Sequence, residues 1–244
     1  MLRRDNAVAA VVHLLQAIAV LALATNFALP VTAAYLVGPP GTPASDPARL
    51  FDIPTAAMVA AFLALSSVAH LLVCTAWWRR YLADLDRHRN PARWVEYSVS
   101  SSLMIVLIAQ LVGISDVAAL LALFGVNASM ILFGWLQERY EEPGGRGWLP
   151  FIFGCLAGAV PWLAVGTYLL SPRSTSAASP PGFVYAIFGS LFAFFNVFAL
   201  NQWLQYRARG RWASYIFGER IYIVLSLTAK SALAWQVFAG TLAS

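Results

Sequence analysis

The sequence predicts an all-α membrane protein, with residues 1–244 forming one domain of seven transmembrane helices. Three observations predict it. The composition, 60% hydrophobic and 11% charged, lies far from the ~25% charged of soluble proteins, and the mean hydropathy is +0.68. Apolar runs recur seven times, each about as long as the ~20 residues that cross a ~30 Å hydrocarbon core. Arginines gather between those runs, nearly all of them on one side. Irregular sheet cannot span lipid, and the runs are about twice the length of barrel strands, which leaves the helical bundle.

Each span is read from its own apolar run. A charged head, Met1 to Asn6, precedes the first span, Ala7 to Leu29. Val31 to Ala34 offers small residues for signal cleavage, but the apolar run is too long for a signal peptide. Val37 to Ile53, rich in Pro and Gly, reads as a loop without apolar periodicity. The second span runs from Pro54 to Trp78, and Arg79 to Arg93 is a densely charged connection. The third runs from Trp94 to Ile114, and a tight turn at Gly113–Asp116 leads into the fourth, ending near Leu136. The loop Gln137 to Gly147 precedes the fifth span, Trp148 to Leu170. After a Ser/Pro-rich connection comes the sixth, Phe183 to Leu204, and Tyr206 to Trp212 introduces the last, Ile221 to Leu242.

The arginines orient this chain. Arg3, Arg4, Arg79, Arg80, Arg87, Arg89, Arg93, Arg139, Arg146, Arg207, Arg209 and Arg211 fall on one side, and Arg49 and Arg173 on the other. By the positive-inside rule the N-terminus is expected in the cytoplasm and the C-terminus outside, in the cell membrane. The net charge of +5 is therefore read as a topology signal; no nucleic-acid module is visible. Cys74 and Cys155, without metal-ligand spacing, read as small buried hydrophobes.

Lys230, the only lysine, stands well inside the last span. A cation at mid-membrane costs at least ~2.5–3.5 kcal/mol, so it marks a functional site whose counter-charge must be found. Snorkelling to an interface is the bland alternative, but about ten apolar or small residues flank it on either side. Glu96, just inside the third span, is the expected partner. Glu219 is expected to pair with Arg220 at the interface. Residue counting leaves Glu96 about 10 Å nearer the arginine-rich side than Lys230, an offset that the lean of helical side chains toward their N-terminus reduces. His13 and His70 fall at a similar depth. With Glu96, Ser98 and Ser100 they would form a polar pocket able to store a proton near neutral pH; each histidine alone reads equally as a hydrogen-bonding bundle residue.

The run Ser226-Leu-Thr-Ala-Lys-Ser-Ala-Leu-Ala-Trp-Gln236, the motif Arg93-Trp-Val-Glu-Tyr-Ser98 and the paired histidines together resemble heliorhodopsins, retinal proteins whose N-terminus faces the cytoplasm. The resemblance covers all seven spans and implies a rhodopsin-like bundle. It implies all-trans-retinal bound to Lys230 as a protonated Schiff base, with Glu96 as counterion. By matching motifs it further implies that Tyr97, Ser101, Asn127, Met130, Pro161, Trp162, Phe195, Gln202 and Ser226 line the polyene or the Schiff base. The long loop after the first span matches an outer loop associated with dimer contacts, and a homodimer is expected. Gly154 and Gly158 permit close helix approach, across a dimer or within the chain.

Ion-pumping relatives in the wider rhodopsin group carry a second acid four residues before the lysine, where Ser226 stands here, and outward proton pumps a carboxylate eleven residues after the counterion, where Leu107 stands. A light sensor is therefore expected, with proton transfer confined to the arginine-rich half and the signal passed to an unidentified cytoplasmic or membrane partner. A light-gated proton channel using the same polar cluster is the alternative. An enzyme is not expected, since no nucleophile–base pair or metal-ligand spacing is present.

Overall fold

The computed structural model describes residues 1–170 and 180–242. Its elements are α1 (Leu2–Leu23), β1 (Ala28–Ala33), β2 (Ala48–Pro54), α2 (Thr55–Cys74), α3 (Trp78–Leu85), α4 (Pro91–Leu111), α5 (Val117–Tyr140), α6 (Leu149–Leu170), α7 (Gly182–Arg207) and α8 (Tyr215–Val237). A 3-10 turn (Gly210–Ala213) precedes α8, and a π-helical turn (Phe238–Leu242) extends it. All but α3 of the helices are long and apolar enough to span a membrane, seven in all among the described residues. A helix satisfies its own backbone groups, which lipid cannot do.

Neighbours in the bundle are α1 with α2, α2 with α4, α4 with α5, α5 with α6, and α7 with both α6 and α8, and α8 closes the ring on α1. Helix α4 is the most enclosed of the spans; Ile105, Leu107 and Ala109 are fully buried. Its start is fixed by Pro91 in the first turn and by the Asn90 side chain, which accepts from the Arg93 amide at 3.1 Å, a proline-and-cap pairing that pre-sets helical φ and fills a free N–H. Asp116 caps α5 by accepting from the Ala118 and Ala119 amides.

Several expectations are corrected. The first helix begins at Leu2 and ends at Leu23, because the charged head is itself helical: the Arg3 side chain donates to the Cys74 carbonyl and Asp5 pairs with Arg220 at 2.9 Å. Ala28 and Leu29, read as the end of that span, instead open a strand that runs to Ala33. The long loop is not structureless, for β1 pairs antiparallel with β2, Leu29 opposite Ile53. This hairpin is fastened to the α4–α5 turn, with the Thr32 amide donating to the Ser115 carbonyl at 2.8 Å. The charged connection contains α3, whose Tyr81 and Leu85 are buried while Arg79 and Arg80 are exposed. Cys74 is buried as expected, but Cys155 is exposed on the bundle surface. Arg173 and most of the Ser/Pro-rich connection lie outside the described residues.

The arginine-bearing connections gather at one end of the bundle and the β-hairpin at the other. Gly154 is buried and faces α5: a methyl group there would meet Phe133 Cβ at 3.3 Å, and one at Gly158 would meet Met130 Sδ at 2.6 Å. The small residues thus serve packing within the chain.

Candidate functional site

The single turn of helix that separates Ser226 from Lys230 puts both side chains on one face of α8. Lys230 Nζ donates to Ser226 Oγ at 3.1 Å and to Glu96 Oε1 at 2.8 Å. The offset left by residue counting is therefore closed. Both side chains are nearly buried, 4% and 7% exposed, so their attraction acts in a low-dielectric setting. Ser66 Oγ lies 2.6 Å from the same Glu96 oxygen, and the ammonium sits 4.9 Å from the centre of the Tyr97 ring. A buried cation is here held by one carboxylate, one hydroxyl and one aromatic face.

A cavity of about 300 Å³ opens from Lys230 between α4, α5, α6, α7 and α8. Its walls are largely apolar. Of the residues expected around a chromophore, Tyr97, Ser101, Met130, Trp162, Phe195, Gln202, Ser226 and Lys230 line it. Asn127 does not line it; its amide donates to Ser101 and Ser102 at 2.9 and 3.1 Å and so orients a lining hydroxyl. Pro161 does not line it either. Trp162 stands edge-on to Phe188, Phe192 and Phe195 at 5.3–5.6 Å, the arrangement aromatic quadrupoles favour. Trp94, Met104, Gly134, Phe192 and Tyr222 also form the wall, and hydropathy could not single them out from ordinary core. A largely apolar chamber with one amine at its polar end has the walls for a hydrophobic ligand.

His13 and His70 stack with ring centroids 5.9 Å apart, and both are buried. His70 Nδ1 lies 2.7 Å from Asn6 Oδ1, and the Asn6 amide donates to the Leu2 carbonyl. Neither ring nitrogen of His13 has a partner among the described residues. Of the serines expected here, Ser98 instead bonds to the Val95 carbonyl of its own helix, while Ser100 lies beside Glu96 and lines the large cavity. Ser66 and Asn6 join the polar pocket. Ser66 was legible as a hydroxyl one turn before His70 in an otherwise apolar run.

The arginine-rich end holds a second buried constellation. Glu219 does not pair with Arg220, whose partner is Asp5. It bonds instead to Arg93, which also holds Glu138 at 2.6 Å. All three side chains are at most 4% exposed. Glu138 accepts four donors: Arg93, the Asn90 amide at 2.8 Å, Trp94 Nε1 at 2.5 Å and the Tyr215 hydroxyl at 2.6 Å. Glu219 accepts three: Arg93, Asn90 Nδ2 at 2.7 Å and the Tyr81 hydroxyl at 2.9 Å. Burial, reinforced by the Glu219 carboxylate, pushes the Tyr81 phenol well above its ordinary range, so it stays a donor. The guanidinium also stacks on the Tyr222 ring at 4.0 Å. At the hairpin end the polar side chains around α8 are neutral and paired, Gln16 with Ser231 and Ser190 with Gln236.

A search of curated proteins finds no match to this chain. The family model described as Heliorhodopsin matches residues 2–242, essentially the whole bundle with Lys230, Glu96 and both histidines inside it. Membership implies a retinal chromophore, for which the cavity beside Lys230 has the walls and the amine. With seven spanning helices and this match, the chain is an integral membrane protein and belongs to the heliorhodopsin family of retinal photoreceptors.

Proposed function

We propose that this chain is a light sensor in which all-trans-retinal is bound covalently to Lys230 as a protonated Schiff base, with Glu96 as counterion. The observation that carries the reading is the 2.8 Å pairing of Lys230 with Glu96 at the polar end of an apolar chamber. Lys230 Nζ would hold the aldehyde carbon, with the carbonyl oxygen lost as water. When bound, retinal supplies a light-driven isomerisation that displaces the charge at the Lys230 nitrogen.

The chain's residues do the rest. Glu96 and the Tyr97 ring hold the nitrogen protonated in the dark, since an opposite charge favours the ionised form. Ser226 fixes the direction of its N–H. When that direction changes, the proton moves toward Glu96 and the His13/His70 pocket, at the arginine-rich end. Leu107 is fully buried and apolar, and the neutral pairs at the hairpin end offer no titratable relay onward. The proposed output is a bundle conformation read by a cytoplasmic or membrane partner. The N-terminus faces the cytoplasm of the cell membrane in this reading, and the molecule works as a homodimer without catalysing a reaction.

The test is reconstitution with all-trans-retinal in a voltage-clamped membrane. The expected result is a visible band, lost in K230A, that bleaches and recovers without steady photocurrent. A current reversing with the proton gradient would establish the channel alternative; one that persists without a gradient would make the protein a pump.

A further inference from the structure

Between Glu96 and the buried arginine lies a second, small cavity of about 30 Å³, lined among others by His70, Asn90, Arg93, Glu96 and Glu219. Space of that size exceeds the ~10–15 Å³ a single water requires. Two buried nitrogens of its lining residues, His70 Nε2 and Arg93 Nε, have no hydrogen-bond partner among the described residues. Asn6 Nδ2 is engaged with the Leu2 carbonyl, so Asn6 Oδ1 accepts from His70 Nδ1. In the neutral ring, Nε2 is then an acceptor. The cavity thus offers water a donor in Arg93 and an acceptor in His70, between two carboxylates.

The charges give this gap a direction. Arg93 is one cation between two buried carboxylates, so the triad is one negative charge in excess. Both carboxylates accept only, the geometry of ionised groups. Glu138 uses all four of its acceptor sites and does not line the cavity; Glu219 receives three donors and does line it. The carboxylate with spare acceptor capacity is the one that lines the cavity.

We infer that Glu219 is the internal proton store of this protein, filled from the Lys230 nitrogen by way of Glu96 and water in the small cavity. This rests on the photoreceptor reading above. The nitrogen gives a proton to Glu96, Glu96 passes one to the water, and the water gives one to Glu219. One proton moves, nothing is oxidised or reduced, and the triad becomes neutral. The Tyr81 hydroxyl then faces a neutral acid in place of an anion, its bond weakens, and α3 with its exposed Arg79 and Arg80 is loosened from the bundle. Light absorbed at Lys230 would thereby reach the arginine-rich surface.

The test is light-minus-dark infrared difference spectroscopy of the retinal-loaded protein with carbon-13 glutamate, read in the carboxylic-acid carbonyl region. The expected result is a label-sensitive band that rises with the state lacking the nitrogen's proton, disappears in E219Q and returns, shifted, in E219D. E219Q keeps Arg93 paired one-to-one with Glu138 and should fold; its proton-depleted state should accumulate about ten-fold less. A band that survives in E219Q, or a wild-type protein that loses the nitrogen's proton without any carboxylic band, overturns the proposal. Failure of the wild-type protein to form a visible pigment would refute the photoreceptor reading itself, a separate outcome.

Discussion

Arg93 is the residue whose loss should damage this protein most for the fewest atoms changed. In R93Q two carboxylates that are 1% and 2% exposed lose their shared cation. Removing one partner of a buried ion pair costs about 3–5 kcal/mol, because the charge left behind keeps its desolvation penalty. Two orphaned anions that also repel each other put R93Q at the upper end, about 5 kcal/mol. For a chain of this size that corresponds to a fall of about 10–20 °C in the thermal midpoint. The assay is loss of visible colour on heating in detergent. R93M/E138Q/E219Q should recover most of the loss, since neutral amides keep the hydrogen bonds of Asn90, Trp94, Tyr215 and Tyr81 without the charges. A single mutant within about 1 kcal/mol of wild type, or a triple mutant no better than the single, would refute the electrostatic account.

Three further outcomes are expected. E96Q should lose its visible band at a pH where the wild type keeps it, because the anion 2.8 Å from Lys230 is gone; superimposable spectrophotometric titrations would count against the counterion role. G134A should lower pigment yield at a cost of about 1–3 kcal/mol, since its methyl group would lie 2.6 Å from Trp94 Cζ3 and the indole is tethered to Glu138. Y81F should destabilise the end of the bundle by about 1.5–3 kcal/mol, the scale of a hydrogen bond to a charged group. The phenol's raised titration keeps that contribution fully present below its ordinary value of about 10, so the Y81F deficit should be constant from neutral pH up to there. Denaturation at two pH values, with amide exchange in α3, checks both parts.

Much of the bundle was legible because each span announces itself as an apolar run, and Lys230 and Glu96 were legible because charges inside such runs are rare. What escaped shares a physical cause. Arg93 has the same sequence context as the loop arginines around it, and only the fold brings Glu138 and Glu219 to it. Glu219 and Arg220 are adjacent in sequence, yet consecutive helical residues point about 100° apart, so adjacency predicted the wrong partner. Cys155 sits in an apolar run on the outside of the bundle, and hydropathy cannot separate an outward-facing apolar residue from a core one. The β-hairpin was hidden because Ala28 to Ala33 continues the apolar run of α1, and its strand state depends on pairing with residues 15 to 26 positions away.

Among the described residues, the buried charges of this bundle lie between Lys230 and the arginine-rich end, while the hairpin end near α8 holds neutral pairs. With the proposed proton path, an electric field would meet a dielectric slab with charge mobile in one portion. Glu219 and Lys230 stand eleven positions apart on α8, about 16 Å of rise, or roughly half of a ~30 Å core. Moving a unit charge across the full potential is worth ~2.3 kcal/mol per 100 mV, so this half-crossing is worth about 1.2. On the proposed proton path, membrane voltage alone would then bias the proton between the two residues by about seven-fold per 100 mV, making its position sensitive to the electrical state of the membrane.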